Sequence, residues 1–195
     1  MPFENLSVLI GKEKIALSKD WLFDKIVRRH RGGFCCELNT LYSLLLDRFG
    51  FKRKLYAGAV FSPERKGIPF DHMLFIINVE DDLWLTDVAF GDSSLTPLRF
   101  SDSPDPQERE SGIYRIRKDG EEYWYEVKVK VIVNESGHEQ QRASTRDEWE
   151  ARCNFSLIPR TREDFKDMLF YHQTNPESPS THYLVSNREG LGTSL

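Results

Sequence analysis

The sequence predicts an α+β protein in which helices come first and antiparallel strands follow. Apolar residues recur every three or four positions in roughly the first fifty residues, and they alternate or run continuously in short segments beyond residue 53. Segregated helices and strands are typical of α+β architecture rather than of alternating βαβ units. The predicted parts are a helical domain over residues 1–52, an antiparallel, barrel-like β domain over 53–143 and a partial α/β segment over 144–195.

The composition excludes several functional classes. The chain has 195 residues, and its 27 Lys and Arg against 31 Asp and Glu give a formal charge of -4. A general nucleic-acid binder needs surplus cations, and a bilayer span needs roughly 20 apolar residues, so neither nucleic acid nor membrane is an expected partner. The N-terminus lacks the features of a signal peptide, and three cysteines, two of them adjacent, are a poor disulfide framework. We therefore expect a reduced, cytoplasmic protein.

Two helices are predicted near the N-terminus. Ser18 can cap a helix over about residues 19–29, where apolar side chains recur at helical spacing. Gly32 and Gly33 end this helix, because glycine tolerates the backbone angles found at helix ends. A second helix begins at residue 34 or 35 and continues to 49, with an apolar face wide enough to be mostly buried.

Strands dominate the middle of the chain. The predicted strands cover residues 55–61, 72–79, 83–90 and 123–133. The second and third flank the short polar turn Glu80-Asp81-Asp82 and therefore form an antiparallel hairpin. Beyond them we predict a helical segment over residues 145–153, which carries Cys153, and a C-terminal helix over about residues 162–172.

The segment from Arg31 to Asn39 is the strongest candidate for catalytic chemistry. It places Cys35 in the first turn of a helix, shortly after two glycines. Unpaired N–H groups at a helix start stabilise a thiolate over a thiol, so a nucleophilic cysteine is expected here. Helical geometry does not separate Cys35 from Cys36, and a cysteine that merely packs in the core stays an alternative. Adjacent cysteines lack the C-x2-C spacing of zinc sites, so no metal is expected.

A thiolate nucleophile needs a base, and the predicted hairpin carries two unusual polar residues. His72 opens an otherwise apolar strand, and Asp87 is a carboxylate inside another, where it is costly unless paired. A two-residue turn at Asp81 and Asp82 puts both side chains on one face but several residues apart, so the simple register does not bring them into contact. His172, at the end of a helix, is interpreted as a partner of the helix dipole.

Three stretches, in this order, resemble the arylamine N-acetyltransferase family. They are Arg-Gly-Gly-Phe-Cys-x-Glu-x-Asn from residue 31, Asp-His from residue 71 and Thr-Asp-Val-x-Phe-Gly from residue 86. The opening Pro-Phe-Glu-Asn-Leu-Ser and two stretches near the end are also similar to family segments, so the resemblance covers nearly all of the chain. It implies an N-terminal helical bundle, a central β-barrel and a partial C-terminal α/β lid in a cysteine-proteinase-like arrangement.

The resemblance also implies which residues carry the chemistry. Cys35 matches the cysteine that takes up the acyl group, and His72 and Asp87 match the other members of a Cys-His-Asp triad. Five further positions match residues that line the acceptor and pantetheine pocket: Phe34, Phe70, Asp71, Phe90 and Gly91. The implied reaction is ping-pong transfer of an acetyl group from acetyl-CoA, the co-substrate, to an arylamine or hydrazine, without a metal.

Two alternatives stand beside this function. The chain begins inside a family motif and stops before the family's usual end, so we expect exposed apolar surface and self-association through it. A truncated, inactive remnant of the family is therefore one alternative. The other is a cysteine-dependent amide synthase or hydrolase, because thiolate–imidazole chemistry does not by itself specify the acceptor.

Overall fold

The computed structural model describes residues 2–11, 13–62, 66–90, 93–134 and 143–187. Within these residues the α-helices are α1 (Leu6–Leu9), α2 (Lys19–Leu22), α3 (Cys35–Arg48) and α4 (Lys166–Thr174). A π-helix, Phe23–Arg28, continues α2, and 3-10 helices cover Arg162–Phe165 and Pro179–Thr181. No helix in the described part of the chain is long and apolar enough to cross a membrane.

One eight-stranded antiparallel sheet forms the centre of the molecule. Its strands are β2 (Lys52–Val60), β3 (His72–Val79), β4 (Asp82–Thr86), β5 (Leu98–Arg99), β6 (Gln107–Arg109), β7 (Gly112–Asp119), β8 (Glu122–Asn134) and β9 (Ala143–Ser156). The order across the sheet is β5-β4-β3-β2-β9-β8-β7-β6, and the sheet is barrel-like. A separate two-stranded sheet pairs β1 (Phe3–Glu4) with β10 (Ser186–Asn187), which brings the two ends of the described chain together.

Strand β3 is buried on both faces because it lies between two hydrophobic clusters. Met73 and Phe75 point toward the helices and pack in a cluster with Leu22, Ile26, Leu38 and Phe165. Leu74 and Ile76 point the other way, into the barrel-like interior, and pack with Tyr114, Ile116, Tyr125 and Phe155. The alternation of strand side chains thus anchors α3 on one side of β3 and the curved sheet on the other. His72, at the start of β3, is held where the two clusters meet.

The predicted α+β class is confirmed, and most predicted elements are present. The helix predicted from residue 34 or 35 is α3, and the strand predicted over residues 72–79 is β3. The helix predicted over residues 19–29 is α2 followed by the π-helix. The strand predicted over residues 83–90 ends earlier, at Thr86. The predicted boundary at residues 143 and 144 falls at the first residue of β9.

The helical segment predicted over residues 145–153 is wrong. These residues belong to β9, which pairs with β8 along its length and with β2 near Cys153. Their Glu, Arg and Ala content favours a helix locally, but pairing with β8, and with β2 from Cys153 onward, supplies backbone hydrogen bonds across the sheet. Cys153 therefore lies in the sheet core rather than on a helix, as its burial at 2 % exposure indicates.

Candidate active site

The glycines before α3 allow a close backbone approach that sets the helix start. A Cβ on Gly32 would lie 2.0 Å from the carbonyl oxygen of Pro2, and one on Gly33 would lie 2.7 Å from Glu37 Oε2. The Phe34 N–H donates to Glu37 Oε2 at 3.0 Å, which satisfies one of the free donors of the first turn. Cys35 is the first residue of α3, so its side chain is fixed by this tightly packed turn.

Glu37 is in turn held by a buried ion pair. Lys25 Nζ donates to Glu37 Oε1 at 2.8 Å and to Oε2 at 3.0 Å, and both side chains are completely buried. Burial raises the pKa of the Glu37 carboxyl, and the charge and hydrogen bonds of Lys25 oppose that rise. The pair ties the π-helix to the first turn of α3.

His72 and Asp87 form a hydrogen-bonded ion pair beside α3. The Nε2 atom of His72 contacts Asp87 Oδ2. The other carboxylate oxygen, Oδ1, accepts hydrogen bonds from Asn39 Nδ2 and from the Ala89 N–H, each at 2.8 Å. Asn39 also donates to the Met73 carbonyl at 2.8 Å. One amide on α3, four residues after Cys35, thus joins the helix to both the carboxylate and β3.

The hairpin register explains how the two side chains meet. The turn lies at Glu80 and Asp81, whose φ values are 51° and 69°, and Val79 pairs with Asp82. This turn is one residue earlier than the predicted one.

Continued past the last paired residues of β3 and β4, the register places His72 opposite residue 89, two positions beyond Asp87. Because β4 ends at Thr86, Asp87 has left the strand and can reach back to the imidazole.

The environment of His72 favours its protonated form. Burial of the ring disfavours the cation, but the charge of Asp87 and its hydrogen bond outweigh burial and raise the pKa of His72 from 6.5 to about 10. Cys35 contributes in the same direction through its hydrogen bond and charge. The imidazole is therefore positively charged at neutral pH and paired with a carboxylate.

This raised pKa predicts a loss of stability in alkaline solution. A group whose folded pKa lies above its unfolded value stabilises fully below the unfolded pKa, and that stabilisation is lost as the pH rises through the folded pKa. For His72 the window runs from 6.5 to about 10. We expect the free energy of unfolding of the wild type to fall across it more steeply than that of His72→Gln. Urea titrations at the two ends of the window measure the difference, and equal slopes would contradict the assignment.

Cys35 lies between a backbone carbonyl and a second thiol. Its Sγ is 3.5 Å from the Asp71 carbonyl oxygen and 3.9 Å from Cys36 Sγ. The hydrogen bond and charge of Cys36, together with burial, raise the pKa of Cys35, while the imidazolium of His72 opposes that rise. The net direction is upward, and the imidazolium of His72 is the group beside Cys35 that counteracts it.

Removal of the second thiol is expected to activate Cys35. In Cys36→Ala the neighbour that contributes most to the raised pKa is absent, whereas the imidazolium remains. Each unit by which the pKa falls increases the thiolate fraction about tenfold. We therefore expect alkylation of Cys35 by iodoacetamide at neutral pH to become several-fold faster, as followed by peptide mass spectrometry. Cys153→Ala, which removes a buried thiol that does not contribute to the raised pKa of Cys35, is the control, and an unchanged rate in Cys36→Ala would rule out this effect.

A cavity of about 300 Å³ opens onto these groups. Its walls include three of the five residues predicted for the pocket, Phe34, Asp71 and Phe90, together with Cys35, Cys36, His72 and Arg152. The Phe90 ring stands edge-on to the imidazole of His72, with ring centroids 4.9 Å apart. Aromatic walls of this kind suit a flat apolar ligand.

One of the predicted pocket residues, Phe70, is placed differently. Phe70 lies away from the cavity wall, where its ring packs against Phe165 at 5.5 Å and the guanidinium of Arg160 at 4.9 Å. Its backbone has a φ of 65°, a left-handed conformation that turns the chain just before Asp71 and His72. Gly91 lies outside the described residues.

A second buried histidine belongs to this site and was not identified from the sequence. His172, on α4, was interpreted as a helix-dipole partner. Its Nε2 is 2.9 Å from Asp71 Oδ1 and its Nδ1 is 3.0 Å from Ser178 Oγ, and all three residues are buried. Because Asp71 precedes His72, this network fixes the entry to β3 against α4. No local pattern could indicate it, since 101 positions separate the two partners.

The described residues contain no group of three or more His, Cys, Asp or Glu side chains arranged to hold a metal ion. The cavity combines two adjacent thiols at a helix start, the charged imidazole of His72 and aromatic walls. This set can support nucleophilic attack by sulfur on a carbonyl carbon, followed by proton transfer through the ring.

Comparisons with known proteins agree on one family. Residues 1–190 match the family described as N-acetyltransferase. Arylamine N-acetyltransferase 2 of Mesocricetus auratus is 32 % identical over 188 residues, which cover 93 % of this chain and 63 % of that protein. Arylamine N-acetyltransferase / N-hydroxyarylamine O-acetyltransferase of Salmonella typhimurium is 32 % identical over 190 residues, with 96 % and 61 % covered.

A solved structure extends the similarity to the fold. The Mycobacterium marinum arylamine N-acetyltransferase in complex with CoA superposes with a TM-score of 0.79 at 27 % identity, covering 95 % of this chain and 65 % of that one. The chain thus spans less than two thirds of the length of these relatives. The residues that the family matches, 1–190, include Cys35, His72 and Asp87.

Proposed function

Because this chain belongs to the family of arylamine N-acetyltransferases, we propose that it transfers an acetyl group from acetyl-CoA to the nitrogen of an arylamine or arylhydrazine. The observation that carries the proposal is that Cys35, at a helix start, shares a cavity with an imidazole paired to a carboxylate. The CoA bound to the Mycobacterium marinum relative supports acetyl-CoA as the donor.

The first half of the proposed reaction loads the enzyme. The Cys35 thiolate, stabilised by the imidazolium of His72, adds to the thioester carbonyl of acetyl-CoA. When the tetrahedral intermediate collapses, the C–S bond to CoA breaks and the leaving thiolate takes the proton from His72. Cys35 then carries the acetyl group as a thioester, and the imidazole is neutral. Asp87 holds the ring in one orientation throughout.

The second half transfers the acetyl group to the amine. The acceptor nitrogen attacks the thioester carbon, and the neutral imidazole of His72 takes the proton that the nitrogen releases. The C–S bond to Cys35 breaks, so the thiolate–imidazolium pair is restored. Phe34 and Phe90, which line the cavity, offer aromatic faces to the acceptor ring. A reducing cytoplasm suits this chemistry, because the three cysteines are free thiols and Cys35 must remain one.

Intact-protein mass spectrometry after brief exposure to acetyl-CoA tests the proposal. We expect one added acetyl group in the wild type, none in Cys35→Ala, and loss of the group when an arylamine is added. Cys153→Ala, which removes another buried thiol, should still be loaded. Well-folded protein without the adduct would contradict the proposed function, and rapid loss of the acetyl group to water alone would identify a hydrolase.

A further inference from the structure

A β-bulge places one arginine in the wall of the cavity. Strands β8 and β9 pair along their length, but Tyr125 lies opposite Cys153 and Glu126 lies opposite Ala151. Arg152 therefore has no partner on β8 and is the extra residue of the bulge. The side chain of such an extra residue does not follow the regular alternation between the two faces of the sheet. Bulges of this kind occur beside active sites. Arg152 lines the same cavity as Cys35.

The guanidinium of Arg152 has unused hydrogen-bonding capacity. Nη1 donates to Glu150 Oε1 at 3.0 Å, and only 17 % of the side chain is exposed. The Nε–H is buried and has no partner in the described part of the protein. Buried donors are normally satisfied, and a guanidinium presents five N–H groups in a fork that matches a carboxylate.

The charges around the cavity leave this arginine available to an anion. Asp71 is hydrogen-bonded to His172 and Asp87 is paired with His72, so the carboxylates nearest the thiol already have partners. Among the described residues that line the cavity, Arg152 is the only arginine or lysine. Glu150, its ion-pair partner, lies outside that lining and occupies one end of the guanidinium.

We propose that Arg152 is a specificity-determining residue that binds a carboxylate on the acyl acceptor, which favours arylamines that carry an anionic group. The inference rests on the proposed acetyl transfer. An anion could also be supplied by the phosphates of CoA. We assign the anion to the acceptor, because Cys35, Phe90 and Arg152 all lie on the walls of one cavity, whereas the pantetheine arm of CoA separates its phosphates from its thioester.

The test compares two acceptors that differ in charge, 4-aminobenzoate and 4-aminobenzamide. In Arg152→Gln we expect kcat/KM for 4-aminobenzoate to fall about 10- to 100-fold, because a charge-assisted hydrogen bond is lost. The value for 4-aminobenzamide and the rate of acyl-enzyme formation from acetyl-CoA should change little. Arg152→Lys keeps the charge without the fork and should be intermediate. Arg117→Gln, which removes an arginine on β7 outside the cavity, is the matched control.

Binding of unreactive benzoate separates this inference from the proposed function. Benzoate should raise the melting temperature of the wild type and of Arg117→Gln but not of Arg152→Gln. If no acetyl-Cys35 forms while this pattern holds, acetyl transfer is wrong and the anion site stands. Equal losses for both acceptors, or a benzoate effect independent of Arg152, overturn the inference. A loss confined to acyl-enzyme formation assigns the anion to CoA and also overturns it.

Discussion

Substitution of Asp87 by asparagine is expected to lower acetyl transfer by about 10⁴-fold while the fold is kept. The new side chain has the same shape, and its oxygen can still accept from Asn39 and Ala89, as Asp87 Oδ1 does at 2.8 Å. Its NH₂ group then faces His72 Nε2, which must become an acceptor. The ring proton therefore moves to Nδ1, and the imidazole loses both its charge and its basic nitrogen on the side away from Asp87.

The measurement combines activity with the reactivity of the thiol. Steady-state transfer and the alkylation rate of Cys35 should both fall in Asp87→Asn, because the imidazolium that opposes the raised pKa of Cys35 is absent. Asp82→Asn is the matched control, since Asp82 lies on the same hairpin but pairs with exposed Arg99. A variant that kept more than about a tenth of the activity would show that Asp87 does not set the state of His72.

The sequence predicts elements well where local pattern and tertiary contacts agree. The helix that begins at Cys35 and the strand that begins at His72 have apolar residues at the spacing expected for their buried faces. The structure contains both elements at the predicted positions. Strand β9 is the opposite case, because residues 145–153 have helical composition. Their conformation is decided by pairing with β8, the preceding strand, and with β2, which lies far away in the chain. Single-segment reasoning has no access to that pairing.

The contacts within the site were harder to predict than its residues. Cys35, His72 and Asp87 were singled out as chemically unusual, yet the simple register kept the last two apart. Their meeting depends on a turn in which Glu80 and Asp81 both have positive φ, a conformation that non-glycine residues seldom adopt. The end of β4 at Thr86 also contributes. Neither feature has a signature in residue type, and only the family resemblance implied the triad.

Substitution of Lys25 by methionine is expected to lower the free energy of unfolding by about 3–5 kcal/mol. The Lys25 ammonium and the Glu37 carboxylate are both completely buried and joined at 2.8 and 3.0 Å. Methionine fills the space of the lysine side chain but leaves the buried Glu37 carboxylate without a positive partner. Because the free energy of unfolding of a small domain is only about 5–15 kcal/mol, this one substitution removes a large part of it.

The pH dependence of this loss identifies its cause. Burial already raises the pKa of Glu37, and without Lys25 nothing of opposite charge counteracts it, so the carboxyl is protonated more readily as the pH falls. We expect urea titrations to show the largest deficit of Lys25→Met at neutral pH and a smaller one in mild acid. The double variant Lys25→Met/Glu37→Gln should recover most of the stability, because glutamine is uncharged and its carbonyl can still accept from the Phe34 N–H.

A stability deficit that did not change with pH, or that the second substitution did not relieve, would show that lost packing rather than an unpaired charge destabilises the variant. The start of α3, and with it Cys35, would then not depend on the Lys25–Glu37 charge pair.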